Sequence, residues 1–473
     1  MKPVPKELEG IELFQRYLTT FNLINIALTN FKTVEDLMAA APEILKTLPE
    51  YDVGVFQSLR PDIVIAAFHP KNRNVVLKCA QAQIKFWQGI IDDIKADKPQ
   101  LDFWFAQGPE LFRALGFSPL CTETTLVASA IYQDGCEDAT DLFRSKGFAD
   151  HICTANVAYP GYVMNGNWKV PHVMVKPGTP CPSSNLAYQA IKKWYGNDYI
   201  MYDSTYYLDE KGLAHQTDAI RRAIAKLEKI SGQKLDEAVL RQQMKESNQT
   251  YALCGELLEL RKNKPNPDPG MHRILDLLMM VTLLGEPSCT EYFQLLVDEA
   301  KERVAKGVGA IPEGKKEIRA LHTWALNAYM PDLYHWLEET YGMTYLTCGL
   351  SYFVNHQVDT SSADSMVEGW AQRIMNFTME RQSMSFGDVW VDDMFYLAKN
   401  WDADCGIFAG NLSCKQGWAM SKLLGDRLED ELGIPSVRFE IELCDKRTCP
   451  PDEFKHRIGS FVETILTNSK KRV

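Results

Sequence analysis

The feature that most constrains the fold of this chain is a strand–loop–helix–strand pattern between residues 172 and 202. Its four parts are an apolar run, a proline-rich loop, a helical pattern and the strand pattern DYIMY, at 172–175, 177–182, 185–195 and 198–202. Ser183 and Ser184 lie where they could cap the helix. Strands joined through a helix run parallel, so the pattern predicts a βαβ unit in an α/β domain.

A second α/β region is predicted near the C-terminus. Its strand patterns lie at 343–347, 405–409 and 436–441, and its helical patterns at 332–341, 416–432 and 451–466. Elsewhere, apolar residues recur at helical spacing. These stripes cover 11–28 and 75–94 near the N-terminus, and 217–230, 235–261, 271–284 and 290–305 in the middle of the chain.

We therefore expect an α/β fold with two small doubly wound parallel-sheet domains, a helical domain and an N-terminal helical extension. The predicted domains are an N-terminal helical extension (1–100), a first α/β domain (101–215), a helical domain (216–310) and a second α/β domain (311–473).

The composition excludes several classes of partner. The 473 residues include 51 Lys and Arg against 62 Asp and Glu, a net charge of −11. This acidic balance argues against binding to nucleic acid or to an anionic membrane. No apolar run reaches the roughly 18 residues of a membrane span, and the N-terminal MKPVPKELEG lacks the form of a signal peptide. We expect a cytoplasmic protein.

Twelve cysteines are spread through the chain without a CxxC pair. In the absence of an export signal, reduced thiols or metal ligands are expected rather than a disulfide framework. Cys181 and Cys414 each follow a predicted strand and precede a predicted helix. Open α/β sheets bind ligands at this position, and the helix dipole there favours a thiolate. Cys153 lies in a predicted loop just before the strand that leads to Cys181.

Cys153, Cys181 and Cys414 can be interpreted in two ways, and so can Glu123. Three thiolates from facing domains could hold a [4Fe–4S] cluster and leave one iron open to a substrate oxygen. Alternatively the cysteines are buried as small hydrophobes. Burial is the expectation for four cysteines in apolar patterns, Cys79, Cys254, Cys289 and Cys348. Glu123, in the loop SPLCTET, is either a solvated loop residue or a proton-transfer group.

Four stretches of the chain match one family in the same order. They are PELFRALGFSPLCTET, SKGFADHICTANVAYPG, a block from PHVMVKPGTPCP to DYIMYDSTY and a block from DADCGIFAGNLSC to GSFVE, at 109–124, 145–161, 171–206 and 402–463. Through them, about residues 101–468 resemble the 2-hydroxyacyl-CoA dehydratase / benzoyl-CoA reductase family of iron–sulfur subunits, of the 2-hydroxyglutaryl-CoA dehydratase D-component type. Residues 1–100 fall outside this resemblance.

The resemblance implies a [4Fe–4S] cluster on Cys153, Cys181 and Cys414, with one iron not bound by cysteine, and Glu123 handling protons beside that iron. It further implies an oxygen-sensitive (R)-2-hydroxyacyl-CoA dehydratase, a heterodimer with a related second subunit. In that family a separate ATP-dependent iron–sulfur activator supplies one electron. The electron reduces the acyl-CoA carbonyl to a ketyl radical, hydroxide and a β-proton are lost, and the electron returns.

One stretch departs from the family pattern. The dehydratases usually carry small hydroxyl residues just before the first matching helix, whereas this chain has DFWFAQG at 102–108. A benzoyl-CoA-reductase-like subunit that reduces an acyl-CoA or another substrate therefore stays open. So do a noncatalytic electron-relay or partner subunit, and a double-cubane cluster protein with further ligands at Cys121, Cys136 or Cys405.

Overall fold

The computed structural model describes residues 1–322, 328–347, 350–377, 380–381 and 387–466. Within these ranges the chain is a mixed α/β protein with two four-stranded parallel sheets, which confirms the predicted fold class. In the same ranges, no helix combines the length and the apolar character needed to cross a membrane.

The first hundred residues form five helices before the first strand. They are α1 (Glu12–Asn30), α2 (Val34–Thr47), α3 (Glu50–Ser58), α4 (Pro61–Phe68) and α5 (Arg73–Lys95). Helix α1 packs along α5, where the ring of Trp87 lies 5.8 Å from that of Phe14 and 4.7 Å from that of Tyr17. The predicted N-terminal stripe is therefore a packing face of α1.

The first sheet has the strand order β2-β1-β3-β4. Its strands are β1 (Gln100–Phe103), β2 (Ser118–Cys121), β3 (Val173–Pro177) and β4 (Asp198–Tyr202). The helices between them are α6 (Glu110–Ala114), α7 (Thr125–Ile131), α8 (Glu137–Arg144), α9 (Thr154–Met164) and α10 (Pro182–Tyr195). The strand order reverses at β1 and β3, so a ligand crevice is expected at their carboxyl ends.

Four long helices follow the first sheet. They are α11 (Glu210–Ser231), α12 (Glu237–Leu260), α13 (His272–Leu283) and α14 (Pro287–Lys306). A network of buried ion pairs stabilises the loop between α12 and α13. Arg261 donates to Asp268 at 2.8 Å and to Asp276 at 2.9 Å, and Arg273 donates to Asp268 at 2.5 Å. These charges are paired with one another, as buried charges need to be.

The second sheet repeats the order of the first, as β6-β5-β7-β8. Its strands are β5 (Ile318–His322), β6 (Met343–Tyr345), β7 (Cys405–Asn411) and β8 (Ser436–Ile441). The helices of this region are α15 (Leu333–Tyr341), α16 (Ala363–Met375), α17 (Asp388–Asn400), α18 (Lys415–Leu432) and α19 (Pro451–Thr464). A crevice like that of the first sheet is expected at β5 and β7.

Most predicted elements are confirmed, with three kinds of error. The structure adds strands β1, β2 and β5 and helices α16 and α17, none of which was predicted individually. The predicted loop after Cys153 is helix α9. Ser183 and Ser184 do not cap α10, because the helix already begins at Pro182 and Cys181 occupies the capping position. The domain boundaries given above stay predictions.

Candidate functional site

Three helices begin at the carboxyl edges of the two sheets or beside them, and a cysteine immediately precedes each. Cys153 precedes α9, Cys181 precedes α10 and Cys414 precedes α18. All three cysteines line one cavity of about 460 Å³. The structure therefore brings together the three cysteines that the sequence singled out, from two different sheets.

Cys153 is the most enclosed of the three. Its Sγ accepts a hydrogen bond from Asn411 Nδ2 at 3.1 Å. Burial raises the pKa of the Cys153 thiol well above its ordinary value, and the negative charges of Glu442, Cys181 and Cys414 raise it further. As thiolates, Cys181 and Cys414 are thus close enough to Cys153 to repel it. A bound cation would relieve that repulsion, because a coordinating thiol is deprotonated by the metal.

Cys181 and Cys414 are partly exposed at the edge of the cavity. Asn156 Nδ2 lies 3.7 Å from the Sγ of Cys181, within reach of a weak N–H to sulfur hydrogen bond. The backbone N–H of Cys414 donates to the carbonyl of Asn411 at 2.8 Å, which fixes the turn before α18. The positive end of each helix dipole favours a thiolate at its first residue.

Glu442 joins the two sides of the cysteine site. Its carboxylate accepts two hydrogen bonds from Ser413, one from the hydroxyl and one from the backbone N–H at 2.8 Å. It accepts two more from Thr154, from the backbone N–H at 3.3 Å and from the hydroxyl at 3.1 Å. Thr154 follows Cys153 and Ser413 precedes Cys414, so one buried carboxylate holds both cysteine segments. No local pattern in the sequence predicts this role, because the contact spans nearly 300 residues.

The donor chemistry of these residues fits a [4Fe–4S] cluster. Over the part of the chain that the structure describes, no three His, Cys, Asp or Glu side chains are grouped closely enough for one ion. In a cubane cluster each cysteine binds a different iron, so the sulfurs stand further apart. Three thiols at helix N-termini, two of them near amide N–H donors, supply the ligands and the hydrogen bonds that such clusters use.

Glu123 lines the same cavity, and its burial excludes the interpretation that it is a solvated loop residue. It sits in a single turn of 3₁₀ helix, Thr122–Thr124, that follows β2, and its side chain is buried. Its Oε2 accepts from the backbone N–H of Phe105 at 3.1 Å and from the hydroxyl of Thr122 at 2.9 Å. Its Oε1 has no partner among the described residues. Burial raises the pKa of Glu123 to about 7, so it can give or take a proton near neutral pH.

A chain of buried hydroxyls extends behind Glu123. Thr122 Oγ1 lies 2.8 Å from the hydroxyl of Tyr188. Because Thr122 donates its only proton to Glu123, Tyr188 must be the donor in that second bond. Tyr159, whose ring contacts that of Tyr188, donates to Asp102 at 2.7 Å. Burial raises the pKa of Asp102 to about 8, so a second carboxyl, mostly protonated near pH 7, lies behind the first.

A buried lysine also lies beside Cys181, and the sequence analysis does not single it out. Lys176, at the end of β3, donates to Asn185 Oδ1 at 2.7 Å and lies 3.5 Å from the carbonyl of Cys181. Burial lowers the pKa of Lys176 to about 8, although nearby Glu380 and Glu123 oppose the change. Burial also raises the pKa of Glu380 well above its usual range.

The aromatic stretch that departs from the family pattern forms part of the cavity wall. Trp104 and Phe105 line the cavity beside Glu123. Phe103 points elsewhere and packs against Phe112 with ring centroids 5.4 Å apart. Gln107 is buried and donates to the carbonyls of β3 and of Trp104. The stretch therefore supplies apolar surface, not a hydroxyl, to the site.

The remaining cysteines separate into distinct groups. Cys79, Cys254 and Cys289 are buried, as predicted, and Cys79 in addition lines the cavity. Cys348 lies outside the described residues. The three cysteines considered as extra ligands of a double-cubane cluster do not line this cavity; they are Cys121, Cys136 and Cys405.

Comparison with known proteins supports the resemblance found in the sequence. A model of the family described as 2-hydroxyglutaryl-CoA dehydratase, D-component, matches residues 107–465. The (R)-2-hydroxyisocaproyl-CoA dehydratase alpha subunit of Clostridioides difficile is 24% identical over 361 residues, which cover 72% of this chain and 84% of the relative. The lactoyl-CoA dehydratase subunit alpha of Anaerotignum propionicum is 21% identical over 424 residues, 82% of this chain and 97% of the relative.

A third relative has an aromatic substrate in its name. The (R)-phenyllactyl-CoA dehydratase alpha subunit of Clostridium sporogenes is 24% identical over 380 residues, 76% of this chain and 88% of the relative. The family match covers the second sheet, three of the four strands of the first sheet, the middle helices, all three cysteines of the cavity and Glu123; strand β1 lies just before it. The chain belongs to the 2-hydroxyglutaryl-CoA dehydratase D-component family.

Proposed function

We propose that this chain is the [4Fe–4S]-bearing subunit of an oxygen-sensitive (R)-2-hydroxyacyl-CoA dehydratase, which acts through a ketyl radical after one-electron activation. One observation carries the proposal: Cys153, Cys181, Cys414 and Glu123 line the same cavity. Membership of the family and the dehydratase names of three relatives support it.

The proposed reaction needs an electron because acid–base chemistry alone is insufficient. The β-hydrogen of a 2-hydroxyacyl thioester is not acidic, so a base cannot start the elimination. Bound by the three cysteines, a [4Fe–4S] cluster would supply one-electron chemistry and an iron without a cysteine ligand. Addition of one electron to the thioester carbonyl gives a ketyl radical anion, which can expel hydroxide from C2. Loss of the β-proton from the resulting radical then allows the electron to be returned.

Glu123 is assigned both proton transfers in this scheme. With its pKa raised to about 7, it is partly protonated at neutral pH and can give its proton to the departing hydroxide, forming water. The carboxylate that remains can take the β-proton, which restores the acid. Oε1, which has no partner among the described residues, is the oxygen assigned to this exchange. The cycle consumes no proton and no electron, as a dehydration requires.

Two protein partners belong to the proposal. The relatives are named as alpha subunits, which supports a heterodimer with a second, related subunit. A separate ATP-dependent iron–sulfur activator is proposed as the electron donor. Cys181 and Cys414 are the partly exposed ligands, so their edge of the cavity is the shortest route for an incoming electron.

The aromatic wall favours a second candidate function. Trp104 and Phe105 stand beside Glu123 in place of hydroxyl residues, and an aromatic acyl-CoA would find apolar surface there. The second candidate is therefore a benzoyl-CoA-reductase-like subunit. Product analysis separates the two candidates, because dehydration returns its electron whereas reduction consumes electrons in proportion to product.

The proposal is tested with the complex purified without oxygen together with its activator. Candidate (R)-2-hydroxyacyl-CoA thioesters are supplied with ATP and a limiting amount of low-potential reductant. Many enoyl-CoA molecules per electron would support dehydration. One product per electron pair would favour the reductase. Glu123→Gln, which keeps the size of the side chain, should reduce turnover by about 10²-fold or more while the complex still assembles.

A further inference from the structure

We infer that the N-terminal helical extension forms the deep wall of the cavity and makes it a pocket for bulky, uncharged apolar acyl groups. The identity of the ligand as an acyl-CoA thioester rests on the proposed function. The choice of acyl group, and the residues that make it, come from the walls of the cavity.

Helices of the extension contribute six side chains to the cavity. These are Phe21 and Ile24 of α1, Ile63 of α4, and Val76, Cys79 and Ala80 of α5. All six are buried or half-buried. They lie outside residues 107–465, so this wall is not part of the segment that matches the family.

Helix α13 forms the adjoining wall. Met271, Leu278 and Val281 line the cavity, and Gln83 of α5 donates to Thr282 of α13 at 2.9 Å. A buried hydrogen bond thus joins the extension to α13. Both present apolar side chains to the cavity. Such a wall is rigid enough to select ligands by shape.

The cavity opens at the cysteine end. Its exposed lining residues all lie in or beside the cysteine segments: His151, Pro182, Leu186, Lys415 and Gln416. A thioester that enters here places its acyl chain toward the extension while its reacting carbons stay near Cys153 and Glu123. The wall made by the extension therefore meets the far end of the acyl chain.

The charge of the lining selects against acidic acyl groups. Among the described residues that line the cavity there is no arginine, and Lys415 and His151 are both exposed at the mouth. A carboxylate at the end of the acyl chain would be buried without a cationic partner, which is costly. It would also share the cavity with Glu123. An acyl group with an apolar end avoids both penalties.

The size of the cavity selects against very small acyl groups. Its volume of about 460 Å³ lies within the range of drug-sized ligand sites, and a cluster on the three cysteines would take up only the cysteine end. A short acyl chain would leave Val76 and Ala80 without contacts, and unfilled apolar space forfeits dispersion energy. Branched or aromatic acyl groups fill this end of the cavity.

The test measures binding of saturated thioesters that lack the 2-hydroxyl group, so that turnover plays no part. The probes are 4-methylpentanoyl-CoA, 3-phenylpropanoyl-CoA, propionyl-CoA and glutaryl-CoA, titrated calorimetrically into the complex purified without oxygen. We expect the two large apolar thioesters to bind about tenfold or more tightly than glutaryl-CoA and propionyl-CoA. Equal affinity for glutaryl-CoA and 4-methylpentanoyl-CoA would overturn the inference.

Variants of α5 locate the effect. Ala80→Leu should weaken the binding of 3-phenylpropanoyl-CoA by about tenfold and change the affinity for propionyl-CoA by less than about twofold. Gln81→Leu is the matched control, because it adds the same side chain one residue along on the exposed face of α5. If Ala80→Leu does not fold, Val76→Ala is the alternative, because it removes contacts with the ligand without overpacking the wall. It should weaken the binding of 3-phenylpropanoyl-CoA about fivefold. Unchanged selectivity in a folded variant would overturn the inference.

The two proposals can fail separately. Selective binding of apolar thioesters by a complex that dehydrates none of the hydroxy forms would overturn only the dehydratase. Dehydration with unselective binding of the probes would overturn only the acyl pocket. A complex that binds none of the four thioesters would overturn the pocket, whatever reaction it performs.

Discussion

Removal of the hydroxyl of Thr122 should shift the pH dependence of turnover in a known direction. Thr122 donates to Glu123 at 2.9 Å in a buried site, and this hydrogen bond lowers the pKa of Glu123 against the larger, raising effect of burial. A hydrogen bond to a charged group is worth about 1.5–3 kcal/mol. Since about 1.4 kcal/mol corresponds to one pKa unit, Thr122→Val should raise the pKa of Glu123 by about one to two units.

The assay is the pH dependence of kcat/KM, which reports the free enzyme. Glu123 acts first as an acid, so activity falls as pH rises through its pKa, about 7 in the natural chain. In Thr122→Val the fall should move to about pH 8–9. Tyr188→Phe is the control, because it removes the hydroxyl behind Thr122 but leaves the bond to Glu123. An alkaline limb that stays in place, or moves down, in Thr122→Val would refute the reasoning.

Further predictions concern redox potential and stability. Asn411→Leu removes the 3.1 Å hydrogen bond to Cys153 and should make the potential of a bound cluster more negative, as measured by an anaerobic redox titration followed by electron paramagnetic resonance. Arg261→Met removes one of the two buried arginine partners of Asp268 and the nearer one of Asp276, and should cost about 3 kcal/mol in thermal unfolding, whereas Arg222→Met, in an exposed pair with Asp218, should cost less than about 1 kcal/mol. Because burial raises the pKa of Glu123 above its unfolded value, its contribution to stability is complete below about pH 4.5 and declines up to about pH 7, by about 3 kcal/mol at most. Glu123→Gln should flatten that part of the stability–pH curve, and an unchanged curve would show that Glu123 is not buried as a carboxyl.

The sequence predicted those parts of the site that depend on local order along the chain. Cys181 and Cys414 each follow a strand and begin a helix, and this arrangement can be read from apolar runs and helical periodicity alone. The helix after Cys153 was missed because it contains Pro160 and Gly161. The structure explains the glycine, since a Cβ at Gly161 would stand 1.9 Å from the carbonyl oxygen of Ala139 in α8. The Pro160–Gly161 pair, which is typical of a turn, instead allows α9 to pack closely against α8.

The parts that were missed depend on contacts between distant segments. Glu442 bridges Thr154 and Ser413, and nothing in the residues around it marks it as a buried carboxylate. Glu123 was equally ambiguous, because it contacts the backbone of Phe105, just after β1, which lies outside its own loop. The apolar stripe over 11–28 predicted a helix, but helical spacing does not say which cavity its residues Phe21 and Ile24 line.

Iron and acid-labile sulfide per chain, measured on the complex purified without oxygen, test the central claim most directly. We predict about four of each, contributed by this subunit. They should be lost or strongly reduced in Cys153→Ser, Cys181→Ser and Cys414→Ser, and retained in Cys79→Ser, whose sulfur lines the same cavity but belongs to the extension. Folded protein of normal stability that holds no iron, or that keeps its iron in all three variants, would contradict the account.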